Sequence, residues 1–323
     1  MKIGLNYAPR GFGAGIDFLQ LVEQVETWGL DSLFVADFVS GEGGDPFTLL
    51  AAASQRSSRL RLGTGVVALP LRSPFQLAKL TLSLDAVSGG RAILGVGTGV
   101  KASEFALEQV EMRRRGRISD EYLEIARRLI RETAVSHQSA SYSFSNLTLE
   151  PRPVQQPHIP IWVSAMWTAN GLAEGPLRRA ARLGDGFYPV DVPVEGYIES
   201  RKRIEDYALS YSRTLEDFDW ACCFWMHLDS DRERAIEVAS REIAYGRMQG
   251  EDTGGVNMRA EAEAPLNLDG MLVGTPQDCI EKLERYAEIG ISEVVVAPLC
   301  EPGEGMTQLR RFAEEVLPHL RPR

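Results

Sequence analysis

The sequence predicts an α/β protein: one (β/α)8 barrel domain spanning residues 1–323, with insertions after strands 4, 5 and 7. Two observations carry this expectation. Eight short runs are near-continuously apolar, as parallel strands covered on both faces must be. Each is connected through a helical stretch, and eight such units favour a closed barrel over an open doubly wound sheet.

The elements follow in order. "KIGLNY" is the first strand and "DFLQLVEQVETWGL" its helix. "DSLFVADF" is the second strand, and in "DPFTLLAAASQRS" Asp45 caps a helix whose first position is Pro46. "LRLGTGVVAL" is the third strand; its helix, "SPFQLAKLTLSLDAVSGG", has Ser73 as cap, Pro74 next and glycine at its end. "RAILGVG" is the fourth strand, followed by a helix from about Asp120 to Thr133. Residues Ala134 to Pro160, rich in Ser, Pro and aromatics, read as an extended excursion. Then strands "IPIWVSA", "DGFYPV" and "FDWACCFWMHL" alternate with helices "GPLRRAARL", "VEGYIESRKRIEDYALSYSR" and "DSDRERAIEVASREIAYG". A second irregular stretch, Gly250 to Met271, precedes helix "TPQDCIEKLERYAEIG", strand "SEVVVAP" and a helix ending near Leu317.

Composition narrows the function classes. No apolar run approaches the ~20 residues of a membrane helix. The start, "MKIGLNYAPRGFG", lacks the features of a signal peptide, so a cytoplasmic location is expected. A net charge of −10 opposes a nucleic-acid backbone. The basic run "MRRRGR", flanked by Glu111 and Asp120, reads as a solvated helix junction. No His, Cys and carboxylate cluster has metal-ligand spacing, so no metal is expected. The four cysteines read as core residues, with Cys222 and Cys223 on opposite faces of a strand.

"SGGRAILGVGTG" (Ser88 to Gly99) is neither a dinucleotide fingerprint nor a P-loop. Its chain continues through "VKASEFALEQV" without a third glycine opening a helix, and no Gly-Lys-Ser/Thr follows. Gly95, Gly97 and Gly99 fall on one face towards the C-terminal end of the fourth strand. Two readings stay open: a flat ring lies against this backbone, or the glycines relieve crowding inside the barrel.

"LRLGTGVVALPLRSPFQLAKLTLSLDAVSGGRAILGVGTG" (Leu60 to Gly99) resembles the luciferase-like flavin oxidoreductase superfamily. So do "GLDSLFVADF", "HIPIWVSA" preceded by "PRPVQQP", and "GPLRRAARLGDGFYP", in order along nearly the whole chain. The resemblance implies FMN or the deazaflavin coenzyme F420 at the C-terminal mouth. It implies a cis peptide at Gly65–Val66 propping the central ring, and Gly97, Thr98, Gly99 and Ser164 beside the cofactor. It implies a phosphate held by backbone N–H groups where a helix begins at Gly175, Pro176 and Leu177, with Arg178 and Arg179 assisting or facing solvent. The loop "MWTANGLAE" lengthens the approach to that helix and brings Met166 and Trp167 to the mouth. Deazaflavin users resemble one another in an Asp-His after the second strand; here Asp37 keeps the acid and Phe38 replaces the histidine. Sugar-phosphate enzymes carry a glutamate after G-x-G, where this chain has Val100.

Asp37 is expected at the cofactor ring edge, favouring F420 over FMN, with hydride transfer to a small organic substrate that carries no phosphate. An FMN-dependent monooxygenase and a non-catalytic flavoprotein are the alternatives. Position at strand ends makes Asn6, Tyr7, Thr98, Ser164, Tyr188 and Asp191 site candidates, with Asn6, Tyr7, Phe38, Met166, Trp167 and Tyr188 lining the substrate pocket. Asp37, Tyr188 and His227 are the candidates for acid–base work, with Glu104 behind them. The helices in "PFTLLAAASQ" and "SPFQLAKLTLSLDAV" are apolar on more than one stripe, which points to a homodimer.

Overall fold

Eight parallel strands pair in chain order and close on themselves, β8 returning to β1. The computed structural model describes residues 1–320 apart from 14, 41–42, 169 and 250–266. The barrel strands are β1 (Lys2–Tyr7), β2 (Ser32–Val35), β3 (Arg61–Thr64), β4 (Ala92–Gly97), β5 (Ile161–Val163), β6 (Gly186–Phe187), β7 (Asp219–Leu228) and β8 (Glu293–Pro298). Around them run α1 (Phe18–Thr27), α2 (Pro46–Ser54), α3 (Pro74–Ser88), α4 (Arg115–Arg131), α5 (Glu174–Leu183), α6 (Val194–Ser210), α7 (Arg232–Gln249), α8 (Pro276–Glu288) and α9 (Gly305–Arg311). Val67–Ala68 extends the β3 side onto β4, and Leu272–Gly274 pairs with the far end of β7.

Local chemistry sets most boundaries. Asp17 and Asp45 accept first-turn N–H groups of α1 and α2, and Thr275 with Asp278 makes a reciprocal capping box on α8. Gly89, left-handed at φ 68, ends α3. Ser73 makes no cap bond; α3 starts on the preset φ of Pro74 instead. The helix after β4 begins at Arg115 rather than near Asp120, entered by a tight turn over Met112–Arg114, so the basic run is a helix junction. Pro189 has no N–H, and "DGFYPV" forms a ladder only over Gly186–Phe187 before Val190 pairs singly.

The excursion after β4 contains an antiparallel hairpin, Val135–Gln138 with Ser143–Leu147. Its Tyr142 and Phe144 pack edge-on against Phe75 of α3, centroids 5.3 and 5.2 Å away. Within α2 and α3 only Val87 is an exposed large apolar side chain. Leu49, Phe75 and Leu80 of these helices pack half-buried against the core. Most of the irregular stretch before α8 lies outside the described residues. Among those described, no helix is long and apolar enough to cross a membrane, and no group of three His, Cys, Asp or Glu could hold a metal.

Strand alternation splits the core in two. Ile3, Leu5, Tyr7, Leu33, Val35, Leu94, Val96 and Cys222 face the helices. Phe34, Ile93, Trp162, Tyr188, Ala221, Cys223, Val295 and Ala297 fill the barrel. At the N-terminal end a buried polar layer closes it. Ser32 and Arg61 both bond Glu293, while Arg61 and the Trp162 indole N–H reach Asp219 at 3.4 and 2.9 Å. Burial pushes the Glu293 carboxyl above its ordinary range, against the pull of Arg61. Phe34 stacks on Trp162 and Tyr188 at 5.3 and 5.1 Å, making a solid floor.

Candidate active site

Above that floor the inward positions become small or half-buried. Asn6, Gly65, Val66, Gly97, Thr98, Gly99, Ser164, Val190, Asp191 and Trp225 all keep accessible surface. Gly95 sits too deep to admit a ligand, because a Cβ there would collide with the Thr64 carbonyl. Gly97 is different: a Cβ would meet only Val66 Cγ2, at 2.9 Å. Crowding relief therefore explains Gly95, and Gly97 with Val66 forms a shelf with no other side chain of the described residues within 4 Å of a Cβ at Gly97. The Gly65–Val66 peptide is cis, as the resemblance implied. Asn6 donates its amide to the Gly65 carbonyl at 3.2 Å and to Cys223 Sγ at 3.7 Å, fixing the shelf from below.

Several expected site residues are spent elsewhere. Tyr7 lies on the helix side of β1, packed against Phe12 and Phe18 at 5.1 Å each, and does not line the mouth. Tyr188 is inside the barrel but sealed, 1% exposed, its hydroxyl beside the Cys223 thiol. Burial pushes that phenol well above its ordinary pKa, with Cys223 adding to the effect. His227 is engaged by protein: its Nδ1 pairs with the Leu299 carbonyl at 2.8 Å. It lines a separate cavity of about 440 Å³ beside α7 and α9. Burial lowers the His227 pKa, so the ring is neutral.

Asp37 is engaged by protein. Arg72 Nε and Nη2 grip its two oxygens at 2.9 and 2.7 Å, and Arg72 also reaches Asp45 at 2.9 Å. Arg72 lies within the stretch that resembles the superfamily, but nothing in the sequence paired it with Asp37. Glu104 is likewise buried, accepting the Ser40 N–H and hydroxyl at 3.2 and 3.3 Å. That bond ties the β2 loop to the short helix Ala102–Leu107 after β4. Phe38 stands at the mouth with the Lys101 ammonium 4.3 Å from its ring centroid.

Beyond β5 the lengthened loop splits its two candidates. Met166 bridges to Val190 and is exposed, whereas Trp167 packs outward, where its ring fills the space left by Gly196 of α6. α5 then starts at Glu174 with no side chain capping it. A Cβ on Gly175 would meet nothing within 4 Å, and the Leu177 side chain anchors the turn in the core. Glu174 is held by Arg203 and Tyr207 of α6. Of the neighbouring arginines, Arg178 is exposed and stacks on Tyr207, and Arg179 is buried against Asp120 at 2.8 Å. Asp191, left-handed at φ 52, accepts the Trp225 N–H at 2.9 Å, and burial pushes its carboxyl well above the usual range. Parity along β7 would have found Trp225, two residues beyond Cys223.

A closed parallel barrel with a glycine-bearing shelf at its C-terminal mouth and an uncapped helix start nearby has the form of an enzyme that binds a flat, phosphate-bearing cofactor. The chain belongs to the luciferase-like monooxygenase family, whose model matches residues 11–293. It is 29% identical to an F420-dependent glucose-6-phosphate dehydrogenase of Intrasporangium calvum, over 99% of each chain. It is 28% identical to a 4-hydroxyprotoasukamycin monooxygenase of Streptomyces nodosus subsp. asukaensis, over 84% of this chain and 76% of that one. The crystal structure of monooxygenase RslO1 from Streptomyces bottropensis superimposes with a TM-score of 0.78 at 28% identity, covering 99% of this chain and all of that one.

Proposed function

We propose that this protein is an oxidoreductase that moves a hydride between coenzyme F420 and a small organic molecule at the barrel mouth. One observation carries the choice. The Val66–Gly97 shelf is open, while Asp37, Tyr188 and His227 are each bonded or sealed away from it. A site so furnished can orient two rings, with Asp191 as the one carboxyl among these mouth residues, and orientation is the main requirement of hydride transfer.

Val66, Gly97, Thr98, Gly99 and Ser164 would seat the ring, and the α5 start around Gly175 would take the phosphate, where N–H dipoles favour an anion. Bound there, a deazaflavin supplies two-electron hydride chemistry. The Phe34–Trp162–Tyr188 floor keeps water from the underside. Asp37, fixed by Arg72, positions the β2 loop.

An FMN-dependent monooxygenase is the second reading, supported by the 28% identity to monooxygenase RslO1 and to the 4-hydroxyprotoasukamycin monooxygenase. Fluorescence titration of the purified protein with F420 and with FMN decides between them. Tighter F420 binding is expected. FMN binding without measurable F420 affinity reverses the choice.

A further inference from the structure

We propose that the mouth takes a neutral, apolar organic substrate and rejects phosphorylated ones, with Phe38 as a residue that sets this preference. The inference deepens the reading above and rests on it. The loops following β2, β4 and β5 carry exposed large apolar side chains: Phe38 (43%), Val100 (46%), Met166 (56%) and Leu107 (64%), with Val39 beside Phe38. Solvated apolar surface gathered at the entrance of an enzyme cleft is the surface a ligand covers.

Charge says what kind of ligand. A phosphate monoester needs unpaired cations or a free donor fork to replace its hydration. The described cations of these loops and of the loop after β3 are already paired, Arg113 and Arg114 with Glu111 among them. Arg72 is bonded to Asp37 and Asp45 at 2.7 and 2.9 Å, and Lys101 lies 3.7 Å from Glu104 with its ammonium over the Phe38 ring. An incoming phosphate would have to strip one from its carboxylate, stranding that charge. A neutral molecule meets no such barrier. Phe38 is also fixed in place: Lys101 covers one face, and two residues on Ser40 is pinned by Glu104 at 3.2 Å. It is a preorganised wall, and preorganised apolar contacts give affinity at low entropic cost.

The test measures binding of three neutral probes (limonene, menadione and 1-naphthol) and of glucose 6-phosphate by calorimetry and saturation-transfer NMR. It uses the protein with its carrier bound, at several salt concentrations. At least one neutral probe should bind at least tenfold more tightly than glucose 6-phosphate, independently of salt. Phe38→Ser, at an exposed position that leaves the core untouched, should weaken that probe by about tenfold. Val100→Arg should bring glucose 6-phosphate binding up by about tenfold, in a salt-dependent way, because the rim then holds an unpaired cation. Glucose 6-phosphate binding as tightly as the neutral probes in the wild type overturns the proposal, as does failure of all three neutral probes. An indifferent Phe38→Ser overturns the role of Phe38. Carrier binding is read separately in the F420 and FMN titration, so failure there counts against the proposed function and failure of the probes counts against this inference alone.

Discussion

Gly175→Asp separates the phosphate site from the fold, because it should push binding and stability in opposite directions. Gly175 occupies the second position of α5, exposed, with nothing within 4 Å of its absent Cβ. An aspartate there fits without moving a neighbour. Replacing glycine in a helix gains roughly 0.3 kcal/mol of propensity, and a carboxylate in the first turn adds about 0.3–1 kcal/mol against the helix dipole. The melting temperature should therefore hold or rise by roughly 1–4 °C. Binding should suffer. Two unit charges ~5 Å apart repel by ~0.8 kcal/mol at the dielectric of water and ~3 kcal/mol at the effective value near protein surfaces. The carrier's affinity should fall by roughly 4- to 200-fold per unit of phosphate charge, less at high salt. Thermal unfolding and fluorescence titration with F420 and FMN read both effects on one preparation. Unchanged affinity for both carriers in a folded variant would show that the phosphate sits elsewhere.

Three further substitutions probe the shelf, the β2 loop and the barrel's closed end. Gly97→Leu places a side chain on the shelf against Val66; carrier affinity should drop by about 100-fold or more, while overpacking costs no more than ~1–3 kcal/mol. Full affinity in that variant would remove the ring from this wall. Asp37→Asn breaks the Arg72 fork, so it should cost about 1–3 kcal/mol of stability and less than tenfold in carrier affinity; a large affinity loss at unchanged stability would mean that Asp37 reads the ring instead. At the closed end, burial raises the Asp185 carboxyl, but the His158 bond and the Arg131 charge outweigh it, and the net pKa is lowered. A lowered folded pKa gives stability above the unfolded value, lost as pH falls below about 4. Asp185→Asn should lower stability at pH 7 by about 3–5 kcal/mol and flatten the acid limb of the stability–pH curve, and an acid limb as steep as the wild type's would assign that loss to other carboxylates.

What the sequence could disclose follows from how local each determinant is. The eight strands were legible because burial on both faces leaves an unbroken apolar run, and the caps at Asp45 and Pro46 act within one turn. Which strand-end residue faces the mouth was also legible in principle. Asn6 points in and Tyr7 points out, as alternation from Ile3 and Leu5 requires, and choosing both ignored that rule. Loop paths were not legible: Met166 and Trp167 part company because Gly196, on another helix, leaves room for an indole. Nor was the Asp37–Arg72 pair, 35 residues apart in the chain. The family signature itself divides between the two ends of the barrel. In "SLDAVSGGRAILGVG", Gly97 reaches the shelf, but Asp85 takes the N–H groups of Val154 and Gln155 at 2.7 and 3.2 Å. Arg91 donates to the carbonyls of Ser54, Leu60 and Ser88. These two charged residues therefore bind the returning chain at the closed end, where each satisfies backbone groups that no ladder reaches. A motif match over this stretch reports a scaffold and half of a ring seat together, and it leaves the choice between F420 and FMN to residues outside the stretch, on the β2 loop and at the start of α5.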